Sequence, residues 1–177
     1  MTEPIKNMCD IEKIKEYLKV TNKRNYLLFV IGINTAIKSN QILNLKLCDV
    51  VDSNKCIREY ICIDEKKYTI NKAINQALKE FLEEQNLQLD SYLFESQKSR
   101  LPINRSHLYR ILNNVVKDCN IKIHIGNETL RKTFGYHYYY KTQNIKYLKE
   151  VFNKHSTKTL FEYLEIKEIG NTDEFYL

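Results

Sequence analysis

The segment from residue 26 to residue 35 constrains the fold more than any other part of this 177-residue chain. Its sequence, Tyr-Leu-Leu-Phe-Val-Ile-Gly-Ile-Asn-Thr, is apolar on nearly every side of a helix. A membrane-spanning helix needs about 20 apolar residues, and no apolar run in the sequence approaches that length. The segment therefore predicts a central helix that other elements must surround and cover.

Apolar residues at helical spacing recur through most of the remaining sequence, and each such segment predicts an amphipathic helix. The predicted helices cover residues 11–20, 40–47, 71–85, 106–120, 128–141 and 145–152. Two short strands, at residues 56–60 and 61–69, are indicated by β-branched residues around a polar turn. The sequence thus predicts a mainly α fold with a small antiparallel β-hairpin, as a single domain over residues 1–177.

Charge and cysteine usage restrict the functional classes. The chain has 28 Lys and Arg against 22 Asp and Glu, a net charge of +6. That excess is compatible with a polyanionic partner, but many proteins that bind none carry as much. The five cysteines are odd in number and form no Cys-x-x-Cys pair, which argues against a zinc site or a disulfide framework. We expect a cytoplasmic protein without a metal, a cofactor or a membrane segment.

The stretch Asn-Glu-Thr-Leu-Arg-Lys-Thr-Phe-Gly-Tyr-His, which begins at Asn127, is the most informative motif. Asn127 is the predicted N-cap of a helix, and Glu128 in its first turn suits the positive end of the helix dipole. Glu128 and Arg131 are three residues apart and share one helix face. On these residues alone, the simplest interpretation is a surface ion pair of small energy.

The run from Thr129 to His137 resembles the second conserved box of the tyrosine recombinases, or phage integrases. In that box a His-x-x-Arg pair opens a helix at the scissile phosphate. Arg131 matches the arginine, whereas Glu128 stands where the family has the histidine. The first box, Asn-Thr-Gly-Leu-Arg, is similar to the run Asn-Thr-Ala-Ile-Lys that ends at Lys38, so that Lys38 replaces the first catalytic arginine.

The remaining boxes follow in the family's order. Residues 152–166 resemble the last box, in which His155 matches the histidine and Tyr163 matches the nucleophilic tyrosine. The interval between His155 and Tyr163 is one residue shorter than usual. In the family a lysine of a β-hairpin turn acts as a general acid, and either Lys66 or Lys67 could fill that role, with a slight preference for Lys66. Without the resemblance, Tyr163 would be interpreted as a half-buried helical aromatic residue.

The resemblance implies the catalytic-domain fold of the tyrosine recombinases and a chemistry that needs no metal. Tyr163 would attack a backbone phosphate and form a 3′-phosphotyrosyl link, which stores the energy of the broken bond. Cationic groups, here Arg131, Lys38 and His155, would stabilise the charge that develops on the phosphate oxygens. The expected partner is double-stranded DNA, on which a homo-oligomer could form. The basic residues expected to contact the DNA are Lys67, Lys132, Arg105 and Arg110.

The two substitutions weaken the expected active site. Lys38 keeps the positive charge but loses the planar, bidentate fork of arginine. Glu128 removes a hydrogen-bond donor and repels a phosphate, unless burial keeps it protonated so that it can still donate. DNA binding is expected to tolerate these changes better than cutting does, because phosphate contacts need only positive charge.

Three functions therefore remain open on sequence grounds. The chain could be a site-specific recombinase of a mobile element, and a covalent DNA adduct on Tyr163 would identify it. It could be a catalytically impaired DNA-binding relative with an accessory or regulatory role, or a plasmid-transfer nickase that uses the same tyrosine. It could also be a protein-interaction module that binds no DNA. The terminal Phe175-Tyr176-Leu177 is expected to dock on a neighbouring surface or subunit.

Overall fold

The computed structural model describes residues 2–167, so the predicted docking residues at the carboxyl terminus lie outside the described part. The helices are α1 Met8–Thr21, α2 Lys23–Asn34, α3 Ser39–Leu43, α4 Leu47–Val50, α5 Lys72–Leu82, α6 Arg105–Asp118, α7 Thr129–Thr142, α8 Ile145–Val151 and α9 Thr157–Leu164. Strands β1 Tyr60–Ile63 and β2 Lys66–Thr69 form an antiparallel hairpin. The predicted fold class, helices with one small β-hairpin, is confirmed.

Asparagine side chains start most of the longer helices. Each accepts a hydrogen bond from a backbone N–H of the first helical turn, which otherwise has no partner within the helix. These caps are Asn7, Asn22, Asn71, Asn104 and Asn144. Ser156 does the same for α9 by accepting from the N–H of Thr159 at 3.1 Å. The caps fix where each helix begins, and hence the direction in which its side chains point.

Helix α2 is the centre of the fold, as its sequence predicts. Leu27, Val30 and Ile31 are completely buried, and α2 packs against α1, α5 and α7. Burial of each such side chain contributes about 1.5–3 kcal/mol relative to leaving it exposed. No helix within residues 2–167 has the length and apolar character needed to cross a bilayer.

The predicted helix over residues 40–47 is instead two short helices, α3 and α4, with a break between them. At the break the backbone pairs with the segment around Tyr92, through a bridge between Lys46 and Tyr92. The Leu45 carbonyl accepts from the Leu93 N–H at 2.8 Å, and the Leu47 N–H donates to the Ser91 carbonyl at 2.9 Å. These long-range bonds replace the helical bonds that the apolar spacing predicted.

The strand prediction placed the hairpin too early in the chain. Of residues 56–60, predicted as the first strand, only Tyr60 belongs to β1, and Ile57 forms an isolated bridge with Val51. The predicted second strand, 61–69, bends back on itself at Asp64 and Glu65, whose φ angles are 48° and 65°. Both residues have the left-handed backbone conformation that a two-residue hairpin turn requires, although glycine or asparagine usually occupies such positions.

An extended amino-terminal segment, residues 2–6, lies along α7, and we call it the amino-terminal strap. The Ile5 N–H donates to the Thr133 hydroxyl at 2.9 Å, and the Ile5 carbonyl lies 2.8 Å from Nε2 of His137. The Glu3 N–H donates to the His124 carbonyl at 2.9 Å. The strap therefore covers one side of the helix that carries Arg131.

Two glycines let α7 approach its neighbours closely. A Cβ on Gly32 of α2 would lie 2.6 Å from Cδ1 of Leu130, and a Cβ on Gly135 of α7 would lie 2.6 Å from Cδ2 of Leu164. The added atom at Gly135 would also lie 2.8 Å from the Phe152 ring. Gly135 thus sets the separation between α7, which carries Arg131, and α9, which carries Tyr163.

We predict that Gly135→Ala destabilises the protein by about 1–3 kcal/mol, because the added methyl group overpacks the contact with Leu164 and Phe152. The direction is diagnostic, since alanine in a helix interior is otherwise about 1 kcal/mol more favourable than glycine. Urea unfolding of the variant provides the measurement, with exposed Lys141→Ala on the same helix as control. A variant as stable as the parent would contradict the close approach.

Candidate active site

Tyr163 and Glu128 form the central contact of the candidate site. Tyr163 lies in the last turn of α9, and its hydroxyl donates a hydrogen bond to Oε2 of Glu128 at 2.8 Å. Glu128 is the residue immediately before α7, and its side chain is 37% exposed. The prediction that Asn127 caps α7 is wrong, because the cap position belongs to Glu128. The side-chain oxygen of Asn127 is buried and has no hydrogen-bond partner within residues 2–167.

The environment of Tyr163 holds its hydroxyl in the protonated state. Burial raises the pKa of Tyr163 well above its ordinary value, and the hydrogen bond to Glu128 and the negative charge of Glu128 raise it further. The positive charge of Arg131 opposes this rise in pKa. A nucleophile in this state must lose its proton during the reaction.

Arg131 connects the segments that surround the tyrosine. Its Nε donates to the Ala36 carbonyl at 2.6 Å, and its Nη2 donates to the Val151 carbonyl at 2.8 Å. The guanidinium also lies over the Phe152 ring, at 4.7 Å from the ring centre, and its Nη1 is 4.0 Å from Oε2 of Glu128. With 11% of its side chain exposed, Arg131 is fixed by these contacts and not free to rotate in solvent.

The loop that carries Lys38 lies against the start of α7. Lys38 is the N-cap residue of α3 and is exposed, and its ammonium group makes no hydrogen bond or ion pair within residues 2–167. The neighbouring Ser39 hydroxyl donates to the Asn127 carbonyl. Gln41 donates to Asp64 in the hairpin turn at 2.9 Å. The Ser39 contact therefore attaches the Lys38 loop to the segment that holds Glu128. The Gln41 contact attaches the hairpin turn to the helix that follows Lys38.

The strand register distinguishes the two hairpin lysines. Alternate residues of a strand point to opposite faces, and directly paired residues point to the same face. By this rule Lys66 shares a face with Tyr68 and the buried Ile61, whereas Lys67 points away from that face. Tyr68 lines a small cavity together with Ala36, whose carbonyl accepts a hydrogen bond from Arg131, so this face looks towards the segment that Arg131 holds. The face therefore favours Lys66 as the lysine directed at the site.

Lys154 is a site residue that the sequence interpretation missed. Its ammonium lies over the Tyr163 ring, at 4.6 Å from the ring centre. His155 is exposed in the turn before Ser156 and makes no hydrogen bond within the described residues. The short interval from His155 to Tyr163 was the available signal, because the family's usual spacing, counted back from Tyr163, reaches Lys154.

Lys132 is buried, whereas the sequence predicted it on a DNA-facing surface. Its side chain is 3% exposed, and its ammonium donates to the Thr2 carbonyl of the amino-terminal strap at 2.6 Å. Glu165 lies 3.7 Å away, and the Tyr163 ring centre lies 5.0 Å away. The strap thus buries Lys132 beside the tyrosine, where it contributes charge to the site but has no direct access to a DNA strand.

The predicted basic residues of α6 are on the surface. Arg105 and Arg110 are both exposed. Arg110 lines a groove of about 480 Å³ together with Arg24 and His107. Burial lowers the pKa of His107, and the charges of Arg24 and Arg110 lower it further, as expected where cations crowd together. The groove has the charge that a phosphate backbone requires.

Taken together, the described residues bring Tyr163, Glu128 and Arg131 into direct contact and attach the Lys38 loop and the hairpin beside them. The cluster supplies the Tyr163 hydroxyl, the Glu128 carboxylate that accepts a hydrogen bond from this hydroxyl, and several cations. Such a set is suited to attack on a phosphodiester, in which negative charge accumulates on the phosphate oxygens.

Comparison with known proteins identifies the same family that the sequence motifs resemble. Residues 6–168 match the model of the phage integrase family. The chain is 35% identical over 169 residues to the probable integrase/recombinase YoeC of Bacillus subtilis (strain 168), a match that spans 95% of this chain and 92% of that protein. It is 24% identical over 159 residues to a tyrosine recombinase of Pseudothermotoga lettingae, of which it spans 54%.

Solved recombinase structures share the fold. The XerA recombinase matches 94% of this chain with a TM-score of 0.75 at 18% identity. XerH bound to palindromic difH substrate, in a post-cleavage complex, matches 92% with a TM-score of 0.69 at 24% identity. The chain spans 60% of the XerA chain and 49% of the XerH chain. From the family match and the identity with YoeC, we conclude that the chain belongs to the phage integrase, or tyrosine recombinase, family.

Proposed function

We propose that this protein is a site-specific DNA recombinase that cuts one DNA strand with Tyr163. The tyrosine oxygen forms a 3′-phosphotyrosyl bond and releases a free 5′-hydroxyl, and the reverse attack by a 5′-hydroxyl rejoins the DNA. The observation that carries the proposal is the contact of Tyr163 with Glu128 beside the fixed guanidinium of Arg131. Family membership, and the similarity to the probable integrase/recombinase YoeC, support the same reaction.

Each part of the reaction has a candidate side chain. Arg131, Lys38 and Lys154 would stabilise the non-bridging oxygens of the phosphate, and Lys66 would donate a proton to the leaving 5′-oxygen. We prefer Lys154 to His155 for the phosphate contact because the Lys154 ammonium lies over the Tyr163 ring, whereas His155 is exposed and makes no hydrogen bond within residues 2–167. Removal of one preorganised donor of this kind typically costs about 10²–10³ in rate.

Double-stranded DNA is the proposed partner. The exposed Arg105 and Arg110 on α6, and Lys67 on the hairpin, are available for phosphate contacts. Two solved relatives of the same fold are described as bound to DNA, XerH to a palindromic site and a lambda integrase fragment as a dimer. We therefore propose that residues 1–177 act on DNA as a catalytic domain in more than one copy, in the cytoplasm.

Tyr163 is predicted to be the residue that becomes linked to DNA. A pool of short duplexes with randomised sequence and one nick at a fixed position should trap a covalent protein–DNA adduct, because the short 5′-hydroxyl fragment diffuses away and cannot reverse the cut. Tyr163→Phe should abolish the adduct while leaving salt-dependent DNA binding intact. Sequencing of the trapped strands would supply a defined substrate. DNA binding with no adduct under any condition would contradict the proposal and support a non-catalytic role.

Lys154 and His155, neighbours in the last box, are predicted to differ in their effect on the rate. On the defined substrate, Lys154→Ala should slow adduct formation about 10²–10³-fold, because it removes a cation next to the nucleophile. The matched variant His155→Ala should leave the rate near that of the parent. Single-turnover kinetics measure both. The opposite ranking would restore His155 as the family histidine.

The two hairpin lysines, Lys66 and Lys67, are predicted to differ in their effect on cleavage. Lys66→Ala should slow cleavage about 10²–10⁴-fold, the usual contribution of a positioned general acid, and Lys67→Ala should affect DNA affinity more than rate. A substrate with sulfur in place of the leaving 5′-oxygen should rescue Lys66→Ala, because a thiolate leaves without a proton. Equal defects in the two variants, or no rescue by sulfur, would show that Lys66 is not the acid.

A further inference from the structure

Lys132 carries a buried positive charge next to Tyr163. Its side chain is 3% exposed, and a lysine is almost never buried to this extent unless its charge is paired. The ammonium donates to the Thr2 carbonyl at 2.6 Å and lies 3.7 Å from Oε1 of Glu165. The centre of the Tyr163 ring is 5.0 Å from the same nitrogen. One buried group therefore contacts the amino-terminal strap, the end of α9 and the tyrosine.

Glu165 connects this charge to the helix that carries the tyrosine. It is the C-cap residue of α9, two residues after Tyr163, and its backbone N–H donates to the Glu162 carbonyl at 3.3 Å. Its Oε2 also accepts a hydrogen bond from the Lys6 ammonium at 3.2 Å, where the Lys6 side chain is 43% exposed. A movement of the end of α9 relative to α7 would stretch the contact between Lys132 and Glu165.

Helix α9 depends on such contacts because it is short. It has eight residues, Thr157–Leu164, and isolated helices of fewer than about 12–15 residues are marginal in water. Leu160 and Leu164 are completely buried and hold the helix to the core. The hydrophobic effect has no preferred direction, whereas a hydrogen bond from an ammonium requires a particular distance and angle. Lys132 therefore adds a directional constraint to the apolar packing of α9.

We propose that Lys132 is a positioning residue for Tyr163, which holds the tyrosine oxygen in place for attack on the DNA phosphate through its contacts with Glu165 and the Thr2 carbonyl. This inference rests on the proposed function, because it assumes that Tyr163 is the nucleophile. Attack requires the reacting atoms to lie about 3–3.5 Å apart, and a misplacement of about 1 Å can cost about 10²-fold in rate. The strap then supports the nucleophile, although it supplies no group to the reaction.

A positioning role and a phosphate contact predict different defects. Loss of a phosphate contact weakens DNA binding for all sequences and reduces the slope of its salt dependence by about one. Loss of positioning lowers the rate of cutting at saturating DNA and leaves the affinity unchanged. The burial of Lys132 favours the second pattern, because the ammonium does not reach the surface on which DNA would bind.

The test uses the full chain and the substrate recovered with Tyr163. Lys132→Met keeps the length of the side chain and removes the charge, so it should slow adduct formation at saturating DNA about 10–10²-fold. Its DNA affinity and salt slope should equal those of the parent. The matched control Lys6→Met removes the exposed ammonium that contacts the same Glu165, and its rate should stay close to the parent's, because exposed ion pairs contribute little.

A double-mutant cycle separates positioning from a purely structural role. Glu165→Gln removes the charge that pairs with Lys132 and should also slow the reaction. If the two residues act through one contact, the double variant should be about as slow as the slower single variant, and the two defects should not multiply. Urea unfolding of each variant shows whether the protein is folded under assay conditions. Because Glu165 is partly exposed, Glu165→Gln carries the test if Lys132→Met does not fold.

The outcomes separate this inference from the proposed function. The positioning role is overturned if the folded variants form adduct as fast as the parent, if the two defects multiply in the double variant, or if Lys132→Met lowers DNA affinity and the salt slope. In each of these cases the adduct on Tyr163 still stands. If the parent protein forms no adduct at all, the proposed function and this inference are both overturned.

Discussion

The site depends first on the bonds that Arg131 makes to backbone carbonyls. Two of its N–H groups are used to hold Ala36, at the end of the α2 segment, and Val151, at the end of α8. These are segments that are far apart in sequence, and a partly buried carbonyl that lost its donor would cost about 1–3 kcal/mol. A lysine could not hold both carbonyls, because it lacks the planar fork of guanidinium. Lys38, which has no such structural task, is a position where the exchange of arginine for lysine is better tolerated.

Glu128 and a phosphate bound beside Arg131 would repel each other, because both groups carry negative charge. A carboxylate and a phosphate about 4 Å apart repel each other by about 4 kcal/mol at an effective dielectric constant of 20. That repulsion would cancel much of what one of the neighbouring cations contributes. The cations near the tyrosine would therefore have to offset the charge of Glu128 as well as bind the phosphate. Arg131 lies 4.0 Å from Glu128, and Lys154 lies 4.6 Å from the centre of the Tyr163 ring.

The sequence predicted those features that depend on local patterns. The all-round apolar character of residues 26–35 predicted the buried helix α2. The resemblance to the family's boxes placed Arg131 and Tyr163 in one candidate site, and both lie beside Glu128 in the structure. Contacts between distant residues were not accessible in this way. Lys132 follows Arg131 directly, and only the strap's Thr2 carbonyl, 130 residues away in sequence, explains why it is buried. The hydrogen bond from Tyr163 to Glu128 spans 35 residues and has no counterpart in the motif.

The amino-terminal strap has a practical consequence for producing the protein. Ile5 and Thr2 are bonded to Thr133 and Lys132, the two residues that follow Arg131 on α7. Trimming these residues, or attaching an affinity tag to them, would therefore remove or strain these contacts with the helix that carries Arg131. A change in the behaviour of such a preparation would then reflect the altered amino-terminal segment and not the native chain.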